Sequence, residues 1–172
     1  MEGLRLYRIE FDYIKFLWTH IDKKVQYRAG ASDKYNEKRP YIGVVFVLND
    51  IKYFTPLEHP RPEHKKLKSN PHIIKIENGD YGIIALGNMI PVIEECLIDF
   101  DINKEPDDYK RILLRQFIFC RKNHARILKN AKTTYNRVTV EKSKFFLDNC
   151  CDFKKLETEH KKYLSKREDF RE

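Results

Sequence analysis

The sequence predicts an α+β fold, in which a compact antiparallel sheet or partial barrel packs against helices. Runs rich in β-branched and aromatic residues lie between Leu4 and Val92, whereas apolar residues at three- and four-residue spacing dominate after Ile102. The chain has 172 residues, enough for one well-filled core, and no repeat or low-complexity linker divides it. We therefore predict a single domain over residues 1–172, with a helical C-terminal half.

The N-terminal part is predicted to contain a strand, a helix and a loop. Alternation of apolar residues from Leu4 to Ile9 indicates a short strand, and helical spacing from Phe11 to Ile21 indicates a first helix. The segment from Val25 to Arg39 is polar throughout most of its length, so we expect a loop there.

A β-hairpin is predicted next. The runs Tyr41 to Leu48 and Ile51 to Leu57 consist mainly of residues that favour strands. Asn49 and Asp50 are expected to form the two-residue turn between them, although the glycine usually favoured at the second position is absent. The segment from His59 to Pro71 contains three prolines and a group of basic residues, which predicts an exposed loop.

The remaining elements complete the sheet and begin the helical half. We expect strands at His72 to Ile76 and Gly82 to Leu86 on either side of a turn at residues 78–80, and an extended segment at Met89 to Val92. Proline and acidic residues at positions 105–108 are typical of a helix start, and the apolar spacing that follows predicts one long helix to about Leu128. Further helical segments are predicted at Arg137 to Glu141 and at Asp152 to Leu164.

Charge leaves two interpretations open. Lysine and arginine total 34 against 26 acidic residues, which gives a formal net charge of +8. A basic protein of this kind is a candidate for nucleic-acid binding, but the same charge can serve only to keep a surface solvated.

The cysteines and the apolar runs indicate an intracellular location. The four cysteines, at positions 96, 120, 150 and 151, match neither a disulfide framework nor a CxxC zinc pattern, so we expect reduced thiols in or near the core. No run approaches the roughly 20 apolar residues that span a bilayer, and the N-terminal residues do not resemble a signal peptide. We expect a soluble, cytoplasmic protein that does not bind a membrane.

The densest group of reactive side chains follows the second strand of the hairpin, from Thr55 to Lys66. His59 and His64 flank Arg61, and prolines on both sides of Arg61 restrict its backbone. Cleavage of RNA by its own 2′-hydroxyl needs a base that titrates near neutral pH and a cation beside the phosphate. Histidine and arginine supply these two groups. The alternative is a solvated basic turn with no chemical role.

A second basic group precedes the first strand of the hairpin, at Tyr35 to Pro40. Because a hairpin returns the chain to its starting point, Lys38 and Arg39 are expected at the same end of the sheet as the loop that carries His59. Ordinary loop charge ahead of a strand is the alternative.

Other candidates are weaker. Acidic residues are concentrated between the sheet and the long helix but show no recognised metal pattern, so we predict no metal site and no cofactor; they are Glu94, Glu95, Asp99, Asp101, Asp107 and Asp108. Basic residues of the helical half, Arg115 and Lys122 among them, can follow a phosphate backbone or simply be solvated. Tyr35 and Tyr135 are candidates for stacking on bases.

An ordered set of short motifs resembles the ToxN/AbiQ/CptN toxins of type III toxin–antitoxin and phage-abortive systems. The motifs are the run from Arg39 to Val44, the run from Lys52 to Leu57, and Pro60-Arg61 with His64. Weaker agreement continues through residues 88–92 and 109–113 and the helix that follows, so the resemblance spans most of the chain.

The resemblance implies a fold similar to the MazF/Kid toxins and a metal-independent endoribonuclease that leaves a 2′,3′-cyclic phosphate, often in A-rich sequences. It also implies an RNA antitoxin made of repeated pseudoknots, which the toxin processes and which inhibits it. Toxin and RNA would alternate in a closed hetero-oligomer.

The chain departs from the family at the centre of the site. Where the family usually has small hydroxyl residues and a lysine, this chain has Glu58, His59 and Arg61. We therefore hypothesise that His59 takes the proton from the 2′-hydroxyl, while Arg61 and Arg39 stabilise the phosphorane. Thr55 would donate a hydrogen bond or shape the site, and His64 is a candidate acid for the leaving group; which histidine is the acid and which the base is left open.

The remaining expected contacts to RNA come from surface side chains near this loop and on the long helix: Tyr35, Lys38, Glu58, Lys65, Lys66, Arg115 and Lys122. A non-catalytic RNA-binding module is the main alternative to the nuclease, and a protein-interaction domain is a third possibility.

Overall fold

A computed structural model describes residues 3–169 of the chain. Residues 1–2 and 170–172 of the predicted single domain lie outside the described residues. The described part forms one antiparallel sheet of seven strands, with helices packed against it, so the predicted α+β class is confirmed.

The strands and helices follow the chain in a strand-rich half and a helix-rich half. The strands are β1 (Arg5–Ile9), β2 (Tyr41–Leu48), β3 (Ile51–Glu58), β4 (Ile73–Lys75), β5 (Ile83–Ala85), β6 (Ile90–Pro91) and β7 (Leu97–Asp99). The helices are α1 (Phe11–His20), α2 (Asp33–Glu37), α3 (Asp107–Lys122), α4 (His124–Thr139), α5 (Lys144–Asn149), α6 (Phe153–Glu159) and α7 (Lys162–Asp169). The strand order is β4-β5-β3-β2-β1-β7, and β6 also pairs with β3.

The β2–β3 hairpin is the centre of the sheet, and both of its strands were predicted. Asn49 and Asp50 have φ angles of 48° and 64°. A two-residue turn of this hand matches the twist of the strands, and asparagine and aspartate tolerate positive φ better than most residues. The predicted turn is therefore confirmed without a glycine. Tyr41 pairs with Pro56, which places the start of β2 beside the end of β3.

The core lies between the sheet and the helices. Tyr53 from β3 and Tyr135 from α4 both donate to the Glu157 carboxylate, at 2.7 and 2.6 Å, and the Tyr135 and Phe153 rings stack at 5.6 Å. Tyr135 is only 4% exposed. The expectation that it stacks on bases is therefore wrong, because its ring is a core side chain.

Several boundaries differ from those predicted. The long helix predicted to run to Leu128 is two helices, because the chain bends at Asn123 (φ −106°, ψ 22°) and the Asn123 side chain donates to the Phe119 carbonyl at 2.9 Å. The polar segment before Arg39 contains the short helix α2, which Ser32 caps through the amide of Tyr35. Two further elements, the three-residue edge strand β7 and the helix α5, were not predicted.

The cysteines are buried free thiols, as predicted. Burial raises the pKa of the Cys120 and Cys150 thiols to about 12. Within residues 3–169, no helix combines the length and the apolar character that crossing a membrane requires.

Candidate active site

Arg39 and His59 lie at the same end of the hairpin, as the antiparallel arrangement predicts. The pairing of Tyr41 with Pro56 is extended by a bond from the Leu57 amide to the Pro40 carbonyl, at 3.0 Å. Arg39 therefore precedes β2 at the point where His59 follows β3. A rigid pair of strands supports both side chains.

Two depressions adjoin at this end of the sheet. One, of about 370 Å³, has largely apolar and aromatic walls, formed by Tyr35, Lys38, Arg39, Pro40, Leu57, His59, Glu105, Pro106, Tyr109 and Gln116. The other, of about 400 Å³, is basic, and its walls are Lys24, Val25, Gln26, Tyr27, Arg28, Tyr35, Arg39, Glu58, His59 and Arg61. Tyr35, Arg39 and His59 line both, so these three side chains mark the junction.

His59 is suited to accept a proton. Its ring is exposed to solvent and lies 6.2 Å from the Tyr109 ring, measured between centroids. Partial burial, and then the charge of His64, lower the pKa of His59 from its ordinary value of 6.5. The imidazole is consequently neutral at pH 7, which is the form that acts as a base.

The Glu58 carboxylate organises the cationic side of the site. Its Oε2 accepts from Arg61 Nη2 at 2.7 Å, and its Oε1 accepts from Gln26 Nε2 at 2.7 Å. The Gln26 amide oxygen in turn accepts from Arg39 Nη1. One carboxylate is therefore linked to both arginines, directly to Arg61 and through Gln26 to Arg39.

Glu58 was predicted to contact RNA, and its surroundings favour a different role. Both carboxylate oxygens face protein donors, and the side chain is 16% exposed. A negative group also repels a phosphate. We interpret Glu58 as a support for the arginines.

His64 lies beneath Arg61 and does not line either depression. It belongs to a 3₁₀ turn, Pro62–Lys66, and is 2% exposed, so the prediction of a fully exposed loop is wrong at this residue. His64 Nδ1 accepts from the Arg61 backbone amide at 3.2 Å. In the neutral ring the proton is therefore on Nε2, which lies 3.2 Å from Glu58 Oε2 and donates to it. Arg61 Nε lies 3.4 Å from the same nitrogen, a contact that is not a hydrogen bond in this tautomer. With both nitrogens engaged, His64 orients its neighbours and lacks a free face for a leaving group.

Thr55 is also removed from direct contact with a substrate. It is fully buried in β3, and its hydroxyl donates to the Ala85 carbonyl at 2.9 Å. This bond ties β3 to the last residue of β5. The Thr55 hydroxyl donor is therefore occupied by the protein backbone, and the residue lines neither depression.

The residues predicted to bind RNA fall into two groups. Tyr35, which is 49% exposed, and Lys38 line the apolar depression beside His59. Glu58 lines the basic depression, whereas the remaining residues lie outside both depressions. Lys65 pairs with Asp80 at 3.0 Å, Lys66 is exposed on the same turn, and the Arg115 guanidinium lies 5.4 Å from the Tyr81 ring. Lys122 ends α3, roughly 20 Å along the helix from Tyr109 at 1.5 Å per residue.

Three residues of the site were missed as site residues by sequence reasoning. Gln26 lies in the polar loop, where the sequence carries no signal for it. Gln116 is 1% exposed and donates to the carbonyls of Glu58 and Tyr81 at 3.2 and 3.0 Å, which fixes α3 against the end of β3. Tyr109 matched the apolar spacing of its helix, which concealed that its ring faces His59.

Among the described residues, no three histidine, cysteine, aspartate or glutamate side chains are grouped closely enough to hold a metal ion.

The chain is similar in sequence and in fold to proteins that have already been characterised. The chain is 31% identical to the endoribonuclease ToxN of Pectobacterium atrosepticum, over 98% of this chain and 99% of that protein. The solved structure of AbiQ, described as a lactococcal anti-phage endoribonuclease of a type III toxin–antitoxin system, superposes with a TM-score of 0.78 at 27% identity and covers 95% of this chain and 99% of AbiQ. A structure described in terms of selective toxin inhibition by a non-coding RNA pseudoknot superposes with a TM-score of 0.80 at 28% identity, covering 94% of this chain and 98% of that one. Residues 5–161 match the family described as toxin ToxN of type III toxin–antitoxin systems, and the chain belongs to that family.

Proposed function

We propose that the chain is an endoribonuclease toxin that cleaves RNA without a metal ion. Its membership of the ToxN family supports the class of activity. The observation that carries the mechanism is that His59, with a lowered pKa, lines the same depression as Arg39 and Arg61. This arrangement combines a neutral base with two cations in one depression.

The proposed reaction is an internal transesterification. His59 takes the proton of the 2′-hydroxyl, and the 2′-oxygen forms a bond to the adjacent phosphorus. The bond from phosphorus to the 5′-oxygen breaks, and water protonates the departing oxygen. The products are a 2′,3′-cyclic phosphate and a 5′-hydroxyl end. Arg39 and Arg61 stabilise the charge that develops on the phosphorane, a contribution that is typically about 3 kcal/mol for one well-placed donor.

The two depressions suggest how a strand lies across the site. The basic depression receives the phosphates, because Lys24, Arg28, Arg39 and Arg61 line it. The apolar depression receives a base, with Tyr35 and Tyr109 available for stacking. The scissile phosphate then lies at the junction beside His59.

We further propose an RNA antitoxin as the partner. The relative described with an inhibitory RNA pseudoknot supports this proposal. Processing of the antitoxin, its repeated pseudoknots, a closed toxin–RNA hetero-oligomer, A-rich substrates and a cytoplasmic location are part of the same proposal. The likeness to MazF/Kid toxins and the closure of the sheet into a partial barrel stay predictions.

The test is incubation of the purified protein with a long A-rich RNA in excess EDTA. We expect new 5′-hydroxyl ends and 2′,3′-cyclic phosphates, and we expect His59→Ala to slow cleavage by roughly two to four orders of magnitude. Salt-sensitive binding of RNA that stays uncut would instead support a non-catalytic binding module. Activity that disappears in EDTA would overturn the metal-free mechanism.

A further inference from the structure

The Gln26 side chain joins the two arginines of the site through a single amide group. Its Nε2 donates to Glu58 Oε1 at 2.7 Å and lies 3.4 Å from Asn88 Oδ1, and its oxygen accepts from Arg39 Nη1. Glu58 Oε2 holds Arg61 at 2.7 Å. Arg39, Gln26, Glu58 and Arg61 therefore form a continuous chain of hydrogen bonds along the wall of the basic depression.

The orientation of the Gln26 amide is determined by its neighbours. Rotating the amide by 180° would place its oxygen against the Glu58 carboxylate and its NH₂ group against the Arg39 guanidinium, so both contacts would become repulsive. Asn88 enforces the same orientation, because Asn88 Nδ2 donates to the Lys24 carbonyl at 2.8 Å and so turns its own oxygen towards Gln26. Only one amide orientation satisfies all of these groups.

We propose that Gln26 is a positioning residue that links Glu58 to Arg39 by hydrogen bonds and so places both guanidinium groups beside the phosphate that the 2′-oxygen attacks after His59 has taken its proton. This inference rests on the proposed nuclease function. Gln26 does not itself contact the reacting atoms. Its effect is on geometry, because an arginine released from its partner samples many rotamers and places its charge correctly for only part of the time.

The first test replaces the amide with an uncharged side chain of similar length, Gln26→Met. Cleavage is measured under single-turnover conditions at saturating RNA, and affinity is measured separately with an RNA that carries 2′-deoxyribose at the cleavage site. We expect the rate at saturation to fall roughly tenfold to a hundredfold, because misplacement of a catalytic charge by about 1 Å has effects of this size. We expect the affinity for the uncleavable RNA to change by less than about threefold, because both arginines keep their charge.

Lys23→Met is the matched control. Lys23 lies in the same loop, its amine lies against the Trp18 ring, and it lines neither depression, so we expect the saturating rate to stay at the wild-type value. A rate for Gln26→Met equal to that of the control would overturn the proposal. A fall in the rate accompanied by an equal loss of affinity would also overturn it, because that pattern indicates a binding role.

The second test uses pH to restore the hydrogen bonds that join Arg39 to Glu58 through the side chain at position 26. In Gln26→Glu the new carboxylate can accept from Arg39 but faces Glu58, and one of two adjacent carboxylates takes up a proton more readily than an isolated one. The protonated group reproduces both contacts of the amide. We therefore expect the ratio of the variant rate to the wild-type rate to rise as the pH falls from 8 to 5.5. A ratio that stays constant across this pH range would contradict the proposed role of Gln26 in positioning Arg39.

The same assays separate failure of this inference from failure of the proposed function. If His59→Ala abolishes cleavage and Gln26→Met leaves it unchanged, the proposed positioning role of Gln26 is overturned and the proposed nuclease mechanism stands. If His59→Ala is fully active, the proposed mechanism fails, and the role of Gln26 fails with it.

Discussion

The Oε2 atom of Glu58 lies 2.7 Å from Arg61 Nη2, so that a carboxylate lines the depression in which we propose that phosphates bind. The same oxygen lies 3.2 Å from His64 Nε2. A carboxylate beside the site opposes the binding of an anion, so its presence needs a compensating benefit. The arrangement indicates that the benefit is orientation, because the Arg61 side chain is 63% exposed and has few other contacts to hold it.

This relationship predicts the effect of Glu58→Gln. Three donors, from Gln26, Arg61 and His64, meet the carboxylate. A neutral amide of the same shape has only one acceptor oxygen, so its NH₂ group must face at least one of these donors. We expect the cleavage rate at saturation to fall about tenfold or more, and the free energy of unfolding to fall by about 1–3 kcal/mol because at least one of these donors loses its acceptor.

Single-turnover cleavage and chemical denaturation measure the two effects. Glu63→Gln is the control, because Glu63 is an exposed acid on the same loop. Faster cleavage by Glu58→Gln would show that the negative charge only weakens RNA binding and has no orienting role.

The lowered pKa of His59 predicts the shape of the pH profile. A base is active when it is unprotonated, so activity should rise with pH through the pKa of His59 and then level off. Because burial and the charge of His64 move that pKa below 6.5, the rise should be centred below pH 6.5, and the rate should already be close to its plateau at pH 7. The measurement is kcat/KM between pH 4.5 and 8 for a short RNA.

A control separates His59 from other titrating groups. In His59→Gln the residual activity should lack this rise. Loss of activity above pH 6.5 with the wild-type protein would contradict a neutral histidine as the base.

The positions of two lysines predict different effects on RNA of different length. Lys38 lines the apolar depression, whereas Lys122 lies roughly 20 Å along α3 from Tyr109. Lys38→Ala should raise KM for short and long RNA alike and reduce the slope of log KM against log salt by about one. Lys122→Ala should weaken the binding of long RNA alone.

Titrations of KM at several salt concentrations, with an oligonucleotide and with a long transcript, distinguish these outcomes. An equal effect of the two variants on the oligonucleotide would mean that RNA reaches the end of α3 even when it is short.

Gly82 packs against the last residue of β3, so a substitution there tests how rigidly that end of the strand is positioned. A Cβ atom at this position would lie 1.9 Å from the Glu58 carbonyl oxygen, and the φ angle is +90°. Gly82→Ala should therefore reduce the free energy of unfolding by roughly 2 kcal/mol or more and displace the residues that precede His59. Chemical denaturation and the saturating cleavage rate measure these effects.

Gly30→Ala supplies the control for backbone strain. Gly30 also has a positive φ, of +81°, but nothing lies within 4 Å of its added Cβ. The expected loss is about 1–2 kcal/mol, from the left-handed backbone alone. Equal losses for the two variants would show that the contact with the Glu58 carbonyl is relieved by a small movement.

Local patterns predicted a large part of this fold. β2 was predicted with the bounds that the structure has, because it is a continuous run of β-branched and aromatic residues whose first half is mostly buried. The hairpin then placed Arg39 and His59 at one end of the sheet, since antiparallel strands return to their origin. The break at Asn123 was not predicted because the apolar spacing continues across it. β7 was not predicted because it has only three residues, which are a strand only through their pairing with β1.

The sequence by itself determined the α+β class, the central hairpin, and the loop on which a base and a cation lie close together. Those features depend on neighbours along the chain, and such neighbours are visible as spacing and composition. Only the tertiary structure decided that His64 is buried, that Thr55 bonds to the backbone, and that Gln26 reaches Glu58 across 32 positions. These assignments depend on which polar atoms meet after the sheet and helices have packed, and a hydrogen bond between distant residues leaves no periodic trace in the sequence.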